Sequence, residues 1–171
     1  SLRSRYCYRT EMDAMTDSLR ARFQAALAPA AARAHVGTFD FHSGPVTWDP
    51  TEATPKRTTL RNVVATLHAD PGTGPWTPAT GNARGVFLVT AHYDAIGFRT
   101  RDWRNWADPA PGGDDNASGV AAVLETARLA AQDAPYPFDV QFVLFDGEEL
   151  GLLGSHALAD SMAHQGARIL G

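Results

Sequence analysis

Val86-Phe87-Leu88-Val89-Thr90-Ala91-His92-Tyr93-Asp94, residues 86–94, is a short apolar run that ends in an imidazole and a carboxylate two residues apart. An unbroken apolar run of strand length is the pattern of a strand buried on both faces, as at the centre of an α/β sheet. Toward the C-terminus, Gly119 to Gln132 place Val120, Val123, Leu124, Ala127 and Ala131 on one helical face, with Glu125, Arg128 and Gln132 on the other. Phe138 to Phe145 read as a second apolar strand. Ser155 then opens a third, shorter helix that runs to about Met162, and Ala167 to Leu170 form one more strand.

Toward the N-terminus, Met12, Met15, Leu19, Phe23 and Leu27 recur at helical spacing after a capping signal at Thr10 and Asp13, which predicts a helix over 11–28. Residues 36–42 and 58–68 look strand-like. Pro45, Pro50 and Pro55 between them imply a loop or broad hairpin, and Pro71, Pro75 and Pro78 with Gly72, Gly74 and Gly81 mark a second loop. Strands that alternate with helices imply an α/β sandwich with a largely parallel sheet core. At 171 residues the chain is long enough for one sizeable core, so a single domain over 1–171 is expected.

The formal net charge of −4 and scattered arginines leave no basic face for nucleic acid. No apolar run approaches the roughly 20 residues that cross a bilayer, and Ser1-Leu2-Arg3 is neither an initiator methionine nor a signal peptide. Cys7 is the sole cysteine, so any metal must be held by histidine and carboxylates.

Three polar motifs fall at comparable topological positions. His92-Tyr93-Asp94 ends one strand, Gly113-Asp114-Asp115-Asn116-Ala117-Ser118-Gly119 opens the next helix, and Asp146-Gly147-Glu148-Glu149 ends another strand. In open α/β sheets ligands bind outside the carboxyl ends of the strands, so the three should meet at one edge. In an extended segment residues i and i+2 point the same way, so Asp94 can accept the Nδ1 proton of His92 and leave Nε2 for a metal. A carboxylate at Asp115 is favoured by the helix dipole and has two oxygens with which to bridge two cations. Glu148 and Glu149 diverge, so one can bind metal while the other faces a water as general base. Singly, a strand-end His-x-Asp is more often a surface hydrogen bond, Asp-Asp-Asn a helix cap and Glu-Glu a solvated face. Their joint occurrence, each beside an apolar element, is what points to a site.

Ala91-His92-Tyr93-Asp94, Gly113 through Ala121, and Phe145-Asp146-Gly147-Glu148-Glu149-Leu150-Gly151-Leu152-Leu153-Gly154-Ser155 together resemble the co-catalytic zinc aminopeptidases, relatives of glutamate carboxypeptidases and glutaminyl cyclases. The likeness covers roughly residues 58–171, with a weaker N-terminal part through Arg5-Tyr6 and the first helix. It implies a three-layer α/β sandwich with a mixed, largely parallel sheet, truncated relative to the full zinc-peptidase fold. It further implies two zinc ions: His92 would bind one, Asp115 bridge both, Glu149 bind the other, Glu148 act as general base and Asp94 orient His92. Asp115 is favoured over Asp114 because the family's bridging carboxylate directly precedes the position of Asn116, and a cis peptide is implied between them.

The resemblance also implies two ligands from beyond the position of Gly171, an aspartate and a histidine; His156 and His164 are the local candidates to replace them. A peptide substrate, hydrolysed at a free N-terminus, is implied, with an extracellular or periplasmic setting. A homo-oligomer, or association with the missing C-terminal half, would follow from an exposed strand edge. The alternatives are an inactive fragment or structural half that needs a partner chain, and glutaminyl cyclisation on the same scaffold. Ser118 lacks the Gly-x-Ser-x-Gly elbow of a serine hydrolase. Between Asp94 and Gly112, Phe98, Trp103, Trp106, Arg99, Arg101 and Arg104 form an insert that reads either as a surface loop or as a wall of the substrate pocket.

Overall fold

The architecture is that of a computed structural model, which describes residues 5–44, 57–69, 85–97, 102, 104, 108–133 and 135–171. The two proline-rich loops and, but for Arg104, the named residues of the aromatic insert lie outside the described residues. Helix α1 spans Met12–Ala26, strands β1 and β2 span Ala34–His42 and Thr59–Leu67, and β3 spans Gly85–His92. Helix α2 (Gly119–Asp133), β4 (Asp139–Phe145), α3 (Leu153–His164) and β5 (Arg168–Ile169) follow.

The strands form one five-stranded sheet in the order β1-β2-β4-β3-β5. Pairings β1 with β2 and β2 with β4 are antiparallel, whereas β3 runs parallel to both β4 and β5. The mixed sheet therefore has an antiparallel half at β1 and a parallel half that carries the motif-bearing strands. Strands β1 and β2 pair antiparallel from Ala34 opposite Leu67 to His42 opposite Thr59, in keeping with the broad-hairpin alternative for the stretch between them.

Alternation along the strands feeds two apolar layers. Val63, Ala65, Leu67, Ala91, Val140, Phe142 and Leu144 point to one face, where α1 supplies Met12, Leu19 and Phe23 and α2 supplies Val123, Ala127, Ala130 and Ala131. Val86 and Val143 point to the other face and meet Leu158 and Met162 of α3. Helices on both faces of one sheet make the three layers, and burial of these side chains at about 25 cal/mol per Å2 is the main force holding them. Among the described residues no helix is long and apolar enough to cross a membrane.

The start of α1 departs from the expected cap. No side chain caps its N-terminus. Asp13 instead turns its carboxylate to Arg57 at 3.3 Å and Arg61 at 3.0 Å. An ion pair to the neighbouring β2 region has taken the group that a local capping rule assigns to the helix.

Candidate metal centre

Register brings the first and third motifs together. In the parallel pair, His92 stands level with Phe145, so both strands end at one height and the residues that follow each are neighbours. Pairing continues one step further, where the amide of Tyr93 donates to the carbonyl of Phe145 at 2.9 Å. Asp146 is fully buried, and Gly147, at φ +73°, turns the chain into a single tight helical turn over Glu148–Leu150. That left-handed conformation suits glycine, and a β-carbon there would also crowd Leu60 and Leu153.

Asp94, 1 % exposed, is the hub of the edge. Its Oδ1 accepts the Glu148 amide at 3.1 Å and its Oδ2 accepts the Glu149 amide at 3.3 Å. Nδ1 of His92 lies 3.2 Å from the Asp94 backbone carbonyl and 3.6 Å from its carboxylate. The backbone oxygen is thus the nearer partner of Nδ1, and the carboxylate to which spacing assigned the bond stands just behind it and favours the protonated imidazole. The i, i+2 rule foresaw the proximity of His92 and Asp94. It had no means of finding the two glutamate amides, which are 54 and 55 residues away.

With Nδ1 so engaged, Nε2 of His92 faces outward, 3.0 Å from Oδ1 of Asp115 and 3.6 Å from Oε2 of Glu148. Asp115 sits in a wide turn, Gly113–Ser118, ahead of α2, and its side chain is largely exposed. The peptide between Asp115 and Asn116 is cis. Asn116, rather than an aspartate, receives the Gly119 amide at the start of α2, at 3.0 Å. Glu149 is half-buried and its Oε1 accepts the Ile96 amide at 3.3 Å.

One ligand-capable atom from each of His92, Asp115 and Glu149 lies within 4.8 Å of the other two. Such a spread matches donors that surround a cation, and the set of one imidazole and two carboxylates suits zinc. Burial lowers the His92 pKa, but the Asp94, Glu148 and Asp115 carboxylates outweigh it and lift the group to about 9. Burial pushes the Glu149 carboxyl up, and the Ile96 amide opposes this.

His156 and His164 lie on exposed positions of α3 outside this group, and the His164 Nδ1 stands 2.7 Å from the Asp160 carbonyl. His35, His42 and His68 are exposed, with His68 beside Asp139 at 3.3 Å. A cavity of about 400 Å3 between the sheet and α3, lined by Thr38, Gln141 and Met162 among others, contains none of the motif residues.

The model of peptidase family M28 matches residues 62–170, well over half of the chain. The chain belongs to peptidase family M28. Among curated relatives, Aminopeptidase YwaD of Bacillus subtilis is 36% identical over 80 residues, 47% of this chain and 15% of the relative. A probable zinc metalloprotease of Pyricularia oryzae is 35% identical over 112 residues, 66% of this chain and 20% of the relative. The chain therefore spans a fifth or less of the length of these relatives. The fold is shared with the LapA aminopeptidase of Legionella pneumophila, at TM-score 0.66 and 17% identity over 99% of this chain and 37% of that one. It is shared also with Fimbriiglobus ruber glutaminyl cyclase, at TM-score 0.65 and 23% identity over 98% of this chain and 54% of the cyclase.

Proposed function

We propose that this chain is the metal-binding part of a zinc-dependent aminopeptidase-type hydrolase of family M28. The convergence of His92, Asp115 and Glu149 at one sheet edge, with Glu148 beside them, carries the reading. His92 would hold one zinc, Glu149 a second, and Asp115 both. When bound, zinc supplies Lewis-acid polarisation of the scissile carbonyl and lowers the cost of negative charge on its oxygen. Glu148, one-third exposed and with its backbone held by Asp94, accepts a proton from the attacking water and hands it to the leaving amine. Asp94 orients His92 and the Glu148–Glu149 turn together, and the substrate is a peptide with a free N-terminus.

Catalytic zinc typically has three protein ligands and one open position. Two zincs that share Asp115 receive two protein ligands each from these residues, which supports further donors from a continuation of the chain, a partner chain or a second copy. Without those donors the chain binds zinc weakly and is inactive as a hydrolase. Activity on aminoacyl anilides and bound zinc by elemental analysis, measured side by side on this chain and on the full-length protein, test both statements. Glu148→Ala should lower turnover by about 10²–10⁴-fold while zinc content holds. His92→Ala should lose zinc as well as turnover. Equal loss of zinc in the two variants overturns the division of roles.

A further inference from the structure

We propose that Arg5 is a positioning residue of the cation site, a clamp that holds the turn bearing Asp115 against the strand bearing His92. The proposal rests on the metal reading above. Arg5 is tied to both halves of the site by different atoms. Its backbone pairs with Ala95, whose amide donates to the Arg5 carbonyl at 3.1 Å, directly after His92-Tyr93-Asp94. Its guanidinium reaches the other way and donates from Nη2 to the carbonyl of Gly112 at 2.7 Å. That carbonyl also accepts the Ala117 amide at 3.0 Å, so it closes the turn in which Asp115 sits.

Gly112 is shaped for this contact. Its φ of +48° lies in the left-handed region, and a β-carbon on it would overlap the Arg5 guanidinium and crowd the Asp115 carbonyl. A missing side chain at residue 112 is therefore the space the guanidinium occupies. The Asp115 side chain is 76% exposed and meets the buried His92 through its Oδ1 at 3.0 Å. A carboxylate on an open turn aligns with a buried imidazole only if the turn is fixed to the strand, and Arg5 supplies that link across 107 residues of sequence.

The alternative role for Arg5 is through-space. The guanidinium interacts electrostatically with Asp94, Glu149 and Asp115, so it offsets part of the negative charge of the site. The two roles predict opposite signs. A cation near other cations weakens their binding, so if charge alone mattered, its removal would tighten metal binding. If Arg5 clamps the turn, its removal loosens metal binding, because groups that orient metal ligands are typically worth 10–100-fold in affinity.

The test is cobalt(II) binding to the full-length protein, followed by calorimetry and by the visible absorption of the bound ion, which reports its coordination. Arg5→Met is expected to bind cobalt at least tenfold more weakly, with an altered spectrum. Gly112→Ala, whose β-carbon would overlap the guanidinium and also crowd the Asp115 carbonyl, is expected to weaken cobalt binding at least as much. Should Arg5→Met fail to fold, Arg5→Lys carries the test, because it keeps the charge and loses the planar fork; weaker cobalt binding is expected. Cobalt binding as tight as wild type or tighter in the folded Arg5 variant overturns the clamp. Wild-type protein that takes up no cobalt overturns the metal reading, and the clamp with it.

Discussion

His92 shows how a single side chain carries the chemistry of a site into its pH dependence. Its imidazole is lifted from 6.5 to about 9, burial acting against and the Asp94, Glu148 and Asp115 carboxylates acting for the protonated form. A cation must displace that proton, so metal affinity should rise with pH up to about 9 and level off above it. Calorimetric zinc titrations at pH 7 in buffers of different ionisation enthalpy should show release of about one proton per His92 site in wild type and loss of that release in His92→Ala. The sign for stability is the reverse. A folded-state pKa above the unfolded one stabilises the metal-free fold fully below pH 6.5, and the gain is lost as pH rises through about 9. Each motif lies within a few residues, so the sequence made His92, Asp94, Glu148 and Glu149 legible as candidates, and the family resemblance chose Asp115 over Asp114. Arg5 had no such signature, since its partner at Gly112 is joined to it only by the fold.

Among the elements, the junction of β4 with β2 decides where the two glutamates point. Asp146 closes β4 and is fully buried; its carboxylate pairs with the guanidinium of Arg57, which is itself buried, and accepts the Arg61 amide at 3.0 Å. Arg57 also donates to the carbonyls of Cys7 and Thr59, so it ties the N-terminal segment, β2 and the end of β4 at one point. Asn62 completes the junction, accepting the Asp146 amide at 3.1 Å and donating to the Gly154 carbonyl at 2.8 Å. Burial pushes the Asp146 carboxyl up to about 6 against the pull of Arg57, so removal of that cation leaves a buried group with no counter-charge. Loss of one partner of a buried ion pair costs on the order of 3–5 kcal/mol, and Arg57→Met should lower stability in urea by about that much. An Arg57→Met midpoint within experimental error of wild type would contradict this account. Periodicity revealed β4 and its apolar faces, but the apolar pattern says nothing about which cation reaches a buried aspartate 89 residues away.

At the scale of the whole molecule, two helical layers on a mixed sheet hold a patch of like charge at one edge. Asp94, Asp115, Glu148 and Glu149 repel one another there, and a bound cation that contacts only the folded arrangement must stabilise it. Zinc at about 100 times its dissociation constant should add about 2.7 kcal/mol, seen as a higher melting temperature that a chelator reverses. His92→Ala should abolish the shift. The residues by themselves determined the α/β class, the positions of the helices and strands, and the identity of the polar motifs, because burial periodicity and strand-end polarity are local properties of the chain. Only the tertiary structure decided that half of the sheet is antiparallel, that Asp94 holds the amides of both glutamates, that Asp13 serves Arg57 and Arg61 instead of a helix cap, and that Arg5 reaches Gly112. Those contacts join segments that are dozens of residues apart, and their partners are chosen by strand order and register, which no local pattern encodes.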